Sequence, residues 1–123
     1  MISFDAFRAQ NGSPIYLQIL RYIKRGIVTG DIVDGDALPS RRMLSAMLGV
    51  NPNTIQKAYR ILEEDSLITS HAGAKSYMTL TEETTAAVRE ELIRADALSV
   101  IESLRQMGLD KAQALSLIDT YWK

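Results

Sequence analysis

The 123-residue sequence predicts a mainly α fold carrying one small β-hairpin, and three observations predict it. Apolar residues recur at helical spacing in five separate segments. Cap residues, prolines and glycines punctuate the gaps between those segments. The β-prone runs Leu67-Ile68-Thr69-Ser70 and Ser76-Tyr77-Met78-Thr79-Leu80 flank a short glycine-containing stretch, His71-Ala72-Gly73-Ala74-Lys75, which reads as a hairpin tip.

After an irregular start, Ser13-Pro14 reads as an N-cap followed by proline at the first helical position, where its missing N–H costs nothing. Ile15, Ile19, Ile23 and Ile27 then recur at i+4 with Leu20 beside them, an apolar stripe that leaves Arg21, Lys24 and Arg25 off it. Gly30 ends this helix. The Asp- and Gly-rich segment 31–37 reads as a loop.

Ser40 caps a short second helix whose apolar members Met43, Leu44, Met47 and Leu48 share one predicted face. Gly49 supplies a tight turn. Asn51-Pro52 repeats the cap-plus-proline signature, and Ile55, Ala58, Tyr59 and Leu62 follow at helical spacing as the inward face of a third helix. Two short helices around a glycine turn make a helix-turn-helix. The second of such a pair fits the major groove of double-stranded DNA, while the first crosses the backbone. Outward at the start of the third helix stand Asn53, Thr54, Gln56 and Lys57. Asn and Gln pair bidentately with adenine, Thr touches a thymine methyl, and Lys neutralises a phosphate. The hairpin that follows reads as a wing, which completes a winged helix-turn-helix over residues 1–80.

Residues 81–123 hold no proline and one glycine, and they read as two helices. Thr79 and Glu82 have capping-box spacing before the first, which Gly108 stops, and Asp110 caps the second. This short tail carries Leu92, Leu98, Ile101, Leu104, Leu115, Ile118, Tyr121 and Trp122, more apolar surface than a two-helix appendage encloses. A second copy of the chain is the simplest cover, so the tail reads as a dimerisation region.

The net charge of −1 argues against a nucleic-acid partner unless it is unevenly spread, and it is. Residues 1–80 hold nine Lys/Arg against seven Asp/Glu, and residues 81–123 hold five against eight. The absence of cysteine excludes disulfides and thiolate chemistry, and the single His71 has no companions at metal-ligand spacing. No catalytic residue, metal or cofactor is expected. No apolar run approaches the ~20 residues of a membrane span, and the start lacks a signal-peptide layout. The expectation is a cytoplasmic protein without a membrane partner.

The motifs Leu38-Pro39-Ser40-x-Arg42-x-Leu44 and Leu48-Gly49-Val50-Asn51-x-Asn53-Thr54-Ile55-x-Lys57-Ala58-Tyr59, with Gly73 beyond, resemble the GntR family of bacterial transcription regulators. Pro14-Ile15-Tyr16-x-Gln18-Ile19 and the short tail look most like its YtrA subfamily. The resemblance implies a homodimeric repressor on an inverted-repeat operator, often beside ABC-transporter genes. Carried over by position, it places Arg42, Asn51, Asn53, Thr54, Gln56 and Lys57 at DNA and lets Gly73 approach the groove, with Ser40 beside Arg42 as a further candidate DNA-binding residue. Arg41 stands where the family usually has an acid and adds charge there, as Lys75 does at the wing.

Two other classes compete with this reading. A winged helix serving only as a protein-interaction module would leave Arg42, Gln56 and Lys57 dispensable. An enzyme would need a nucleophile with its base, a metal cluster or a phosphate loop, and the chain offers none of these. Neither the operator nor any small-molecule effector is legible.

Overall fold

In the computed structural model, which describes residues 1–71 and 75–123, the first helix α1 (Ile15–Thr29) starts one residue later than the cap signature predicts. Pro14 is itself the flanking residue, and no side chain caps the helix, so Ser13 does not take the predicted role. Proline's fixed φ sets the entry instead. Gln18 then ties the preceding segment down, its Oε1 accepting from the Gln10 N–H at 2.8 Å and its Nε2 donating to the carbonyls of Gln10 and Ser13. The start of the chain is ordered packing. Ile2, Phe4 and Phe7 are buried, Phe4 stacks on Tyr22 of α1 with centroids 5.0 Å apart, and Phe7 meets both rings edge-on.

Gly30 closes α1 in the left-handed region, and the segment behind it folds back so that Ile32 is buried against Gly26. A Cβ at Gly26 would stand 2.5 Å from the Ile32 side chain, which explains a glycine in the middle of a helix. The expected loop over 31–37 ends in a short strand, β1 (Ala37–Leu38). Leu38 precedes Pro39, whose ring disfavours helical backbone before it, and the extended pair is captured by a neighbouring strand.

The second helix α2 (Arg41–Leu48) is capped by Ser40, whose Oγ accepts from the Met43 N–H at 3.1 Å. Only Leu44 and Ser45 of this helix are buried; Met43 and Met47 are exposed, contrary to the predicted inward face. Ser45 occupies the inner position because its Oγ donates to the Val50 carbonyl at 2.6 Å, closing the turn that Gly49 makes at φ 67°. The third helix α3 (Pro52–Glu64) begins with Asn51 accepting from the Asn53 N–H at 2.8 Å and Pro52 at its first position. Ile55, Ala58, Tyr59 and Leu62 are fully buried, as their spacing predicts. Tyr59 also donates its hydroxyl to the Pro39 carbonyl at 2.7 Å. Burial pushes that phenol well above its ordinary range, with the Arg41 charge pulling the other way.

Past Ser66, a non-glycine residue at φ 60°, the strands β2 (Ile68–His71) and β3 (Lys75–Met78) pair antiparallel, with Ile68 opposite Met78 and His71 opposite Lys75. β3 also pairs antiparallel with β1, so the expected hairpin is two strands of a three-stranded sheet in the order β1-β3-β2. The fold class is a mainly α winged helix-turn-helix with this small sheet.

The long helix α4 (Glu82–Gln106) is started by Thr81, not by Thr79 and Glu82: Thr81 Oγ1 accepts from the Thr84 N–H, and Thr84 Oγ1 accepts from the Thr81 N–H. Thr79 is occupied elsewhere, its hydroxyl 2.6 Å from that of Thr69 across the sheet. After Gly108, Asp110 and Gln113 form a reciprocal capping box for α5 (Lys111–Tyr121). By internal contacts the chain divides into a head, residues 1–89, and a smaller unit, residues 90–123.

Candidate nucleic-acid interface

Asn53, Gln56, Lys57 and Arg60 follow one another at i, i+3, i+4 and i+7 on α3, and all four are exposed. The inward residues fix the helix to the head, and nothing in the packing requires amide and ammonium groups on the opposite face. Thr54 is half-buried, its N–H bonded to the Asn51 carbonyl. Asn51 is committed as a cap but exposed. The Lys57 ammonium lies 4.0 Å above the centre of the Tyr16 ring, which stands at the start of α1 and is half-buried. A cation held over an aromatic face has a preferred location without a neutralising acid.

The helix starts are electrostatically distinct. Like α1 and α5, neither α2 nor α3 has an acid in its first turn, whereas α4 has Glu82 and Glu83. The helix dipole makes each start electropositive, an effect that the two carboxylates offset at α4 and that the starts of α2 and α3 retain. Arg42, exposed in the first turn of α2, adds to that potential, and Ser40 flanks it.

Arg41 stands differently. Its Nη2 is 2.9 Å from Glu63 Oε1 at the end of α3, and its guanidinium packs 5.1 Å from the Tyr59 ring centre. It is not a free cation. Lys75 is exposed at the end of β3 opposite His71, while Gly73 lies outside the described residues. Arg60 and Tyr16 join this face in addition to the residues that the sequence singles out. Arg60 was accessible from its spacing to Gln56 and Lys57, and its guanidinium is 3.8 Å from Glu64, a pairing of two exposed groups that costs little to open. Tyr16 belongs to another helix and only folding brings it to Lys57.

In the smaller unit, Leu98, Ile101, Leu115, Ile118, Tyr121 and Trp122 are exposed, while Leu92 and Leu104 are half-buried. α5 buries none of its residues. Among the described residues no helix is long and apolar enough to cross a membrane.

The sequence profile of bacterial regulatory proteins of the gntR family matches residues 15–77, from the start of α1 into β3. The HTH-type transcriptional repressor YtrA of Bacillus subtilis is 33% identical over 110 residues, which are 89% of this chain and 78% of that protein. A GntR family transcriptional regulator from Listeria monocytogenes superposes with a TM-score of 0.78 at 32% identity, covering 91% of this chain and 98% of the other. The DNA-binding domain of AraR, solved in complex with operator ORE1, superposes with a TM-score of 0.50 at 28% identity over 59% of this chain and 94% of that domain. The winged helix-turn-helix fold and the family match over its helices and into β3 agree, and the chain belongs to the GntR family of bacterial transcription regulators, whose DNA-binding domain it carries.

Proposed function

We propose that this protein is a cytoplasmic homodimeric repressor that binds an inverted-repeat DNA operator and thereby blocks transcription, with an operon encoding an ABC transporter as its target. The observation that carries the reading is the exposed face of α3, where Asn53, Gln56 and Lys57 present base-reading and phosphate-binding groups that the core does not use. Arg42 and the start of α2 grip the backbone, and the hairpin with Lys75 lies over the adjacent groove. Two copies joined through Leu98, Ile101, Leu115, Ile118, Tyr121 and Trp122 place their α3 helices about one DNA turn, ~34 Å, apart. Tethering turns two weak half-site contacts into one tight one. The similarity to a repressor and to a domain seen on its operator supports this reading.

The test is to incubate the protein with sheared chromosomal DNA from its host, recover bound fragments near physiological salt and sequence them, since non-specific attraction fades there while base readout persists. Enrichment of one or a few inverted repeats is expected, and the genes beside them name the regulated operon. A folded, dimeric protein that enriches no sequence would favour the interaction-module reading.

A further inference from the structure

Arg41 and Arg42 are adjacent in sequence and opposite in use. Arg42 is exposed, whereas the Arg41 side chain is 22% exposed and reaches across the head. Its Nη2 donates to Glu63 Oε1 at 2.9 Å and comes within 3.4 Å of Ser70 Oγ on β2. The same Glu63 oxygen accepts from Ser70 Oγ at 2.7 Å, and Ser70 Oγ is 3.0 Å from Ser76 Oγ on β3, a buried residue. One guanidinium thus joins the start of α2, the last turn of α3 and β2, and Ser70 carries the connection on to β3. Its packing against Tyr59, whose hydroxyl is bonded to Pro39, ties in the segment before α2 as well.

We propose that Arg41 is a positioning residue and not a phosphate contact: it fixes the hairpin to the third helix, so that wing and α3 meet DNA at one set angle. The charge is spent before DNA arrives. Withdrawing it to reach a phosphate would break the pair with Glu63, leave that carboxylate facing Ser70 without its cation, and free the hairpin that the contact steadies. A phosphate contact by Arg41 would therefore have to replace both its bond to Glu63 and its approach to Ser70. The part that concerns DNA rests on the function proposed above, whereas the brace itself stands on the intramolecular geometry.

Two measurements on the full-length protein separate these. Without DNA, amide exchange of β2 and β3 in R41A and E63A is expected to quicken by roughly 10-fold relative to the core of α1, because both variants remove the same tie. Unchanged exchange in both overturns the brace. With the fragment enriched from chromosomal DNA, affinity is measured across a salt series. R41A and E63A each weaken binding by roughly 3- to 10-fold with the slope of log K against log salt unchanged, and the double variant is no weaker than either. R42A, by contrast, lowers that slope by about one phosphate's worth. A slope change in R41A matching that in R42A, or additive losses in the double variant, would overturn the positioning role. Wild-type protein that selects no fragment would sink the DNA reading while leaving the exchange result to decide the brace.

Discussion

The head and the smaller unit are built from similarly apolar sequence and use it in opposite ways. Every buried apolar side chain among the described residues lies between Ile2 and Val88, while the stretch from Glu90 onward leaves Leu98, Val100, Ile101, Leu115 and Trp122 more than half-exposed or close to it. In the head, three helices and a sheet converge on one core from several directions, so each apolar stripe meets another. α4 and α5 lack that convergence. The same residue types therefore build a core in one region and an exposed apolar surface in the other, the surface that the proposed dimer would cover.

The widest separation comes from matched isoleucines. Ile55→Ala is expected to destabilise the head by about 2–5 kcal/mol, because a fully buried side chain leaves a cavity, and chemical denaturation reads that loss. Ile118→Ala leaves exchange of the head's core amides unchanged and weakens self-association, as sedimentation across a concentration series would show. Equal damage to the head from both would erase the contrast.

Within the head, the inward and outward faces of α3 give the next contrast. Gln56→Ala is expected to relax discrimination at one base position by about 1–3 kcal/mol with little change in stability, whereas Lys57→Ala weakens all sequences alike and lowers the salt slope. Binding to a panel of operator variants distinguishes them. Tyr59→Phe, on the inward face, strips the Pro39 carbonyl of its partner and is expected to cost about 1–2 kcal/mol in denaturant, with base discrimination intact. The smallest effect has the opposite sign. Ser66 holds φ 60° at the end of α3, so Ser66→Gly should raise the head's stability by roughly 0.5–1 kcal/mol in a thermal melt.

Much of the head was legible because short-range chemistry determined it. Ser40 and Asn51 cap their helices as their residue types demand, Gly49 turns where an αL residue is needed, and the buried stripe of α3 follows from spacing alone. What escaped depends on partners distant in sequence. β1 has two residues, too few to show a period of two, and it exists because β3 lies beside it. Ile2, Phe4 and Phe7 show no periodicity, and Tyr22 on α1 gives them their place. Met43 and Met47 sit at sound helical spacing, yet which side of α2 faces inward was set by Ser45 and its bond to Val50. At the interface, residue type and position identified Asn53, Gln56 and Lys57. They could not reveal that Arg41 has a carboxylate waiting 22 residues away.

The exposed Trp122 has an optical consequence. It is the sole tryptophan of the chain, it is 81% exposed, and it closes the helix that buries nothing of its own. Excitation selective for indole therefore reports on the end of the chain and is silent about the head's core. If association covers this end, emission shifts to the blue as protein concentration rises, and it returns to the red on dilution while the head stays folded. Trp122 would then serve as a built-in, label-free gauge of the proposed assembly.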